Sequence, residues 1–139
     1  MVNEILNGIS AALKDAFPDC TIYSQNIEQG LATPCFFIGL TSQNQKRMLG
    51  RRSRMDYQFD IVYFPADEND NDGKYEVGGQ AIHALEYISV TDGLLHGQER
   101  EIELLENQLH IRVRFSLFVM EQSVQEPFED ISITNQTKE

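Results

Sequence analysis

The chain has 139 residues, the size of one domain, and 41% of them are apolar, enough for one core. Its 22 Asp and Glu against 11 Lys and Arg give a formal charge of −11, which argues against a protein that seeks nucleic acid with its whole surface. No apolar run approaches the roughly 20 residues needed to cross a bilayer, so no membrane partner is expected.

At the N-terminus, "MVNEILNGIS" carries an acid where a signal peptide would carry a base, which points to the cytoplasm. Ile5, Ile9, Ala12, Leu13, Ala16 and Phe17 repeat at helical spacing and predict a helix over residues 3–17. Asn3 suits its N-cap, and Pro18 ends it by pushing residue 17 out of the helical region. A short strand is predicted over residues 21–24, followed by the turn-rich "NIEQGLATP". "CFFIGLT", residues 35–41, is apolar on both faces, as in a strand that is central in its sheet or meets a partner.

The next stretch, "QKRMLGRRSR", holds Lys46, Arg47, Arg51, Arg52 and Arg54, five of the chain's 11 basic residues. It runs into "MDYQFDIVYFP", where Tyr57, Phe59, Ile61 and Tyr63 alternate with polar residues at the period of a strand. The basic segment is therefore expected to be a long loop joining two strands. "ADENDNDG" is an acidic loop, and a second helix is predicted over residues 75–89, with Val77, Ala81, Ala84, Leu85 and Ile88 on one face. Gly78 and Gly79 weaken its start by about 1 kcal/mol each relative to Ala, or else permit close packing.

A hairpin closes the ordered part. With Asn107-Gln108 as a two-residue turn, Leu104 would face Ile111 and Ile102 would face Val113 on one side of the sheet. Glu103 would face Arg112 and Glu101 would face Arg114 on the other. The strand continues to Phe118 and Met120, where its polar face turns apolar. Residues 1–121 thus read as a single α+β domain of order α-β-β-β-α-β-β, an antiparallel or mixed sheet with two helices on one face. Residues 122–139 read as a C-terminal tail or arm.

Searching this pattern for chemistry gives little. Glu68, Asp70 and Asp72 precede Gly73 as in a calcium loop, but the position of the bidentate Glu is Gly79 and a strand leads in. His83, His96 and His110 lie on three elements without a partner set for a metal, and a partly buried place is expected for His83. Cys20 and Cys35 match neither a metal knuckle nor a redox pair, which fits a reducing compartment. No catalytic residue, metal or cofactor is assigned. The basic segment has three readings. It is a solvated loop balancing an acidic surface, a contact for the acidic surface of another copy or protein, or a contact for nucleic-acid phosphates. Without an aromatic between Lys46 and Arg54, a DNA contact would be to the backbone only and transient.

"NGISAAL", "NIEQGLATPCFFIGL", "QKRMLGRRSRMDYQFDIVYFP" and "LHIRVRFSLFV" resemble a family of small prophage proteins classed as tail terminators of long-tailed phages and phage-like particles. The resemblance runs from about residue 3 to 120. It implies a non-enzymatic α+β subunit that assembles as a homo-oligomeric ring, usually a hexamer. Such a ring ends polymerisation of the tail tube protein and offers a surface to the neck or head-completion protein, and DNA passes through its lumen. It also implies assembly in the host bacterial cytoplasm and a final place in the tail of the virion. On this view Lys46, Arg47, Arg51, Arg52 and Arg54 face a neighbour, the tube end or the lumen. Asp67, Glu68, Asp70 and Asp72 are a candidate acidic partner patch, and Phe36, Phe37, Phe118 and Met120 are candidate apolar contacts. Another neck or head–tail joining role stays open, as does, more distantly, a small enzyme or ligand-binding domain.

Overall fold

A computed structural model describes residues 1–24 and 32–120. The link 25–31 and the C-terminal segment from residue 121 lie outside the described residues. Eight elements follow one another: α1 (Val2–Ala16), β1 (Thr21–Tyr23), β2 (Cys35–Arg47), β3 (Arg52–Phe64), α2 (Asn71–Ala84), β4 (Tyr87–Val90), β5 (Gly93–Leu105) and β6 (Gln108–Met120). The class is the expected α+β, with one strand more than anticipated.

The six strands form one sheet in the order β1-β2-β3-β6-β5-β4. β1 runs parallel to β2, and every other pair is antiparallel. Both helices cover the same face. α1 buries Ile5, Ile9 and Leu13 completely, the stripe that its spacing predicts. It ends at Phe17, whose φ of −131° and ψ of 74° are non-helical, as Pro18 requires. Its start differs from expectation, because Met1 occupies the N-cap and makes no side-chain cap.

The core joins these helices to the inward residues of the sheet. Phe36 stacks between Phe17 and Tyr63, at ring separations of 5.1 and 5.0 Å. Ile38, Phe59, Ile61, Leu109, Ile111, Val113 and Phe115 complete the floor, each at most 2% exposed. Two glycines set how near the helices come. A Cβ on Gly8 would stand 2.7 Å from the Ser89 carbonyl, and one on Gly78 would stand 2.9 Å from Ile102 Cδ1. Gly78 therefore serves close packing, whereas Gly79 faces open space.

The second helix begins earlier and ends earlier than predicted. Asp70, from the acidic loop, accepts a hydrogen bond from the Gly73 amide at 3.0 Å and caps α2. The helix stops at Ala84, and residues 87–90 pair with residues 93–96 of β5. Ile88 satisfies both a helical stripe and a strand alternation, and the β-prone run "YISV" decides for the strand.

The β5–β6 register also differs. The turn is Glu106-Asn107, with φ of 49° and 66°, not Asn107-Gln108. Leu104 faces Leu109, Ile102 faces Ile111 and Glu101 faces Arg112. The displacement is two residues, so each side chain keeps its predicted face. Glu103 still bonds Arg112, as a diagonal neighbour. Arg114 instead finds Gln98 Oε1 at 2.7 Å and Glu99 at 3.5 Å, because a bulge between Gln98 and Glu101 shifts β5.

Candidate assembly surface

The basic segment is not a loop. β2 and β3 stay paired as far as Arg47 and Ser53, and only residues 48–51 form the turn. Lys46, Arg47, Arg52 and Arg54 are strand residues, and Arg51 alone lies in the turn. The sequence conceals this pairing because the strand here is polar on both faces and gives no apolar alternation. From Leu40 to Arg47, β2 is exposed on both sides. These residues and their partners on β3 and the end of β6 form an arm. Among the described residues, β2 has a neighbour only on the β3 side beyond Phe37, and β6 only on the β3 side beyond Phe115.

Lys46 lies opposite Arg54, a like-charge pair that Asp56 compensates. Arg54 Nε is 3.1 Å from Asp56 Oδ1. The Ser116 hydroxyl donates to the same oxygen at 2.6 Å. That hydrogen bond, aided by Arg54 and Arg114 and opposed by burial, holds the Asp56 carboxyl below its ordinary range. Arg52 lies over the Phe118 ring, 5.0 Å from its centroid. Phe118, Val119 and Met120 are 59%, 45% and 66% exposed, and Leu49 at the tip is 92% exposed. The arm thus brings the basic residues together with Phe118 and Met120. Phe37 is half-buried opposite Val62 on the face without helices. Phe36, the fourth apolar candidate, is 0% exposed and belongs to the core, so it offers no surface.

The acidic candidates lie elsewhere. Asp67, Glu68, Asp70 and Asp72 are all exposed beyond the opposite end of β3. β3 has 13 residues, so about 40 Å separates its two ends. The two charged regions cannot meet within one subunit. Gly73 lies inside α2, which removes the calcium-loop geometry. Among the described residues, no group of three or more His, Cys, Asp or Glu converges on one point.

A residue that sequence reading missed fixes the acidic loop. Lys74 is 1% exposed, and its ammonium donates to Glu68 O at 2.6 Å, Asn71 Oδ1 at 3.3 Å and Asn107 O at 2.8 Å. It ties the loop, α2 and the β5–β6 turn together. Two of its three acceptors are six and 33 residues away along the chain, so no local motif announces the set. The Asp60–His110 contact on the face without helices was equally hidden. His110 Nδ1 lies 2.9 Å from Asp60 Oδ2, across two strands. His83 is exposed rather than partly buried, and His96 is exposed and packs on Tyr87. Cys20 and Cys35 are buried and unbridged, and burial holds both thiols above their ordinary range.

On the opposite face, α1, α2 and β4 enclose an open groove of about 630 Å³. Gly8, Ala11, Ala12, Ala16 and Ala84 are its small lining residues, and Asp15, His83 and Tyr87 are its ionisable side chains. Gln80 also borders a second hollow, lined by Asp70 and Glu76, that runs towards the acidic loop.

Known proteins compare with this architecture as follows. A solved structure described as the virion of a native gene transfer agent particle contains a chain with a similar fold, at a TM-score of 0.51 and 12% identity. The match covers 86% of this chain and 97% of that one. A second solved chain matches at a TM-score of 0.46 and 9% identity, over 88% of this chain and 94% of that one. No curated protein matches. The family model described as "Phage tail terminator protein" matches residues 4–127, nearly the whole chain, and the protein belongs to that family.

Proposed function

We propose that this protein caps the phage tail tube as a homo-oligomeric ring, ending tube polymerisation and presenting a surface to the neck of the capsid. A structural role in building the tail follows from the family itself. The observation that carries the finer reading is the separation of charge along β3. A basic, apolar-tipped arm stands about 40 Å from an exposed acidic loop, so each finds its complement only on another molecule. Contacts between two different patches are heterologous, and heterologous contacts close into rings when the rotation allows. The ring is a hexamer in this proposal. It forms in the host cytoplasm and is carried into the particle tail, and DNA passes through its lumen with transient contact to basic side chains.

Electron microscopy of particles assembled without the protein tests the role. Tails that overrun their normal length are expected. Normal-length tails that fail to join capsids would identify a neck-joining component instead.

A further inference from the structure

We infer that the tip of the β2–β3 arm of one copy seats Met48 and Leu49 in the α1–α2 groove of a neighbouring copy. This inference rests on the ring reading above and names its contact.

The tip is apolar where its surroundings are charged. Leu49 is 92% exposed and Met48 37% exposed. A single exposed leucine is ordinary. Here it stands at the end of a projecting hairpin, and the exposed stretch of β2 from residue 40 to 47 carries it roughly 20–25 Å. The strands are paired along that length, so the arm does not fold back on its own subunit. The receiving surface has the opposite character. The groove is concave, with four alanines along it and Gln80, His83 and Tyr87 as its larger polar side chains.

Charge agrees with shape. The tip is flanked by Lys46 and Arg51. The groove carries Asp15, and the second hollow, which shares Gln80 with it, carries Asp70 and Glu76. The lysine in that hollow, Lys74, is already held by three oxygens. The occupant is therefore a second copy of this chain, and each copy uses its tip once and its groove once, which propagates in one direction.

The test uses the full chain with Leu49→Cys and Ala11→Cys combined. Cys20 and Cys35 are buried and leave the new thiols as the accessible ones. Oxidation of the paired variant is expected to give a ladder of covalently linked copies on a non-reducing gel, with neither single variant giving a ladder. In sedimentation velocity, Leu49→Asp is expected to weaken association by on the order of tenfold or more, while Leu49→Met associates like the parent. An oligomeric parent whose paired variant yields no ladder, or whose Leu49→Asp variant associates unchanged, overturns the contact and leaves the ring reading standing. A parent that stays a single subunit at every concentration overturns both.

Discussion

Asp56 is 4% exposed in an arm whose outer strand, β2, is open to solvent on both faces. A buried carboxylate is costly unless it is bonded, and here Ser116 and Arg54 satisfy it. Because its pKa lies below the ordinary 3.8, the charged form stabilises the folded state fully above that pH. The contribution is lost as pH falls through the lower folded value. Urea unfolding at pH 5 and pH 3 should therefore show a larger loss of stability for the parent than for Asp56→Asn, which lacks this proton. Equal losses would show that Asp56 contributes nothing special. None of this was legible along the chain: Asp56 reads only as a polar residue opening a strand, and Ser116 lies 60 residues away. The apolar residues were legible. Ile5, Ile9, Leu13, Phe59 and Ile61 are buried where period alone puts them.

At the level of elements, errors fell where tertiary contact decides between local alternatives. The β5–β6 turn places Glu106 and Asn107 at positive φ, which asparagine adopts readily and glutamate does not. Asn107 is fixed from outside the hairpin. Its carbonyl accepts from Lys74, and its side-chain Nδ2 donates to Glu68 O at 3.2 Å. The same contacts hold the acidic loop against α2. Replacing Lys74 by methionine keeps the aliphatic stem but removes the ammonium from Asn71 Oδ1 and Asn107 O and leaves Glu68 O with the Asn107 side chain alone. A loss of about 1–3 kcal/mol is expected, read as a lower urea midpoint. Amide exchange should quicken in residues 66–71 and at the β5–β6 turn together. Loosening of only one of these regions would show that Lys74 does not couple them. The predicted faces survived because a two-residue change of register preserves alternation, whereas one residue would have inverted it.

For the molecule as a whole, composition shows an acidic chain with a basic cluster but not where either charge lies. Topology does that. β3 links the arm at one end to the acidic loop at the other, and the sheet separates them. Reversing Lys46, Arg51 and Arg52 to glutamate leaves two basic residues of the original five. Assembly followed by light scattering should then weaken by on the order of tenfold or more, with far-ultraviolet circular dichroism unchanged. Assembly at parental strength would reject the charged arm as a contact.

The half-paired strands of the arm carry a consequence for the protein in solution. An open backbone edge recruits any other open edge, and the usual end is aggregation. The β2 edge is guarded by "TSQNQKR", polar throughout and charged at its end, and the chain carries −11 overall. These residues act as gatekeepers. In the proposed assembly they would keep free subunits dispersed, while the exposed tip and the end of β6 stay uncovered for a neighbour.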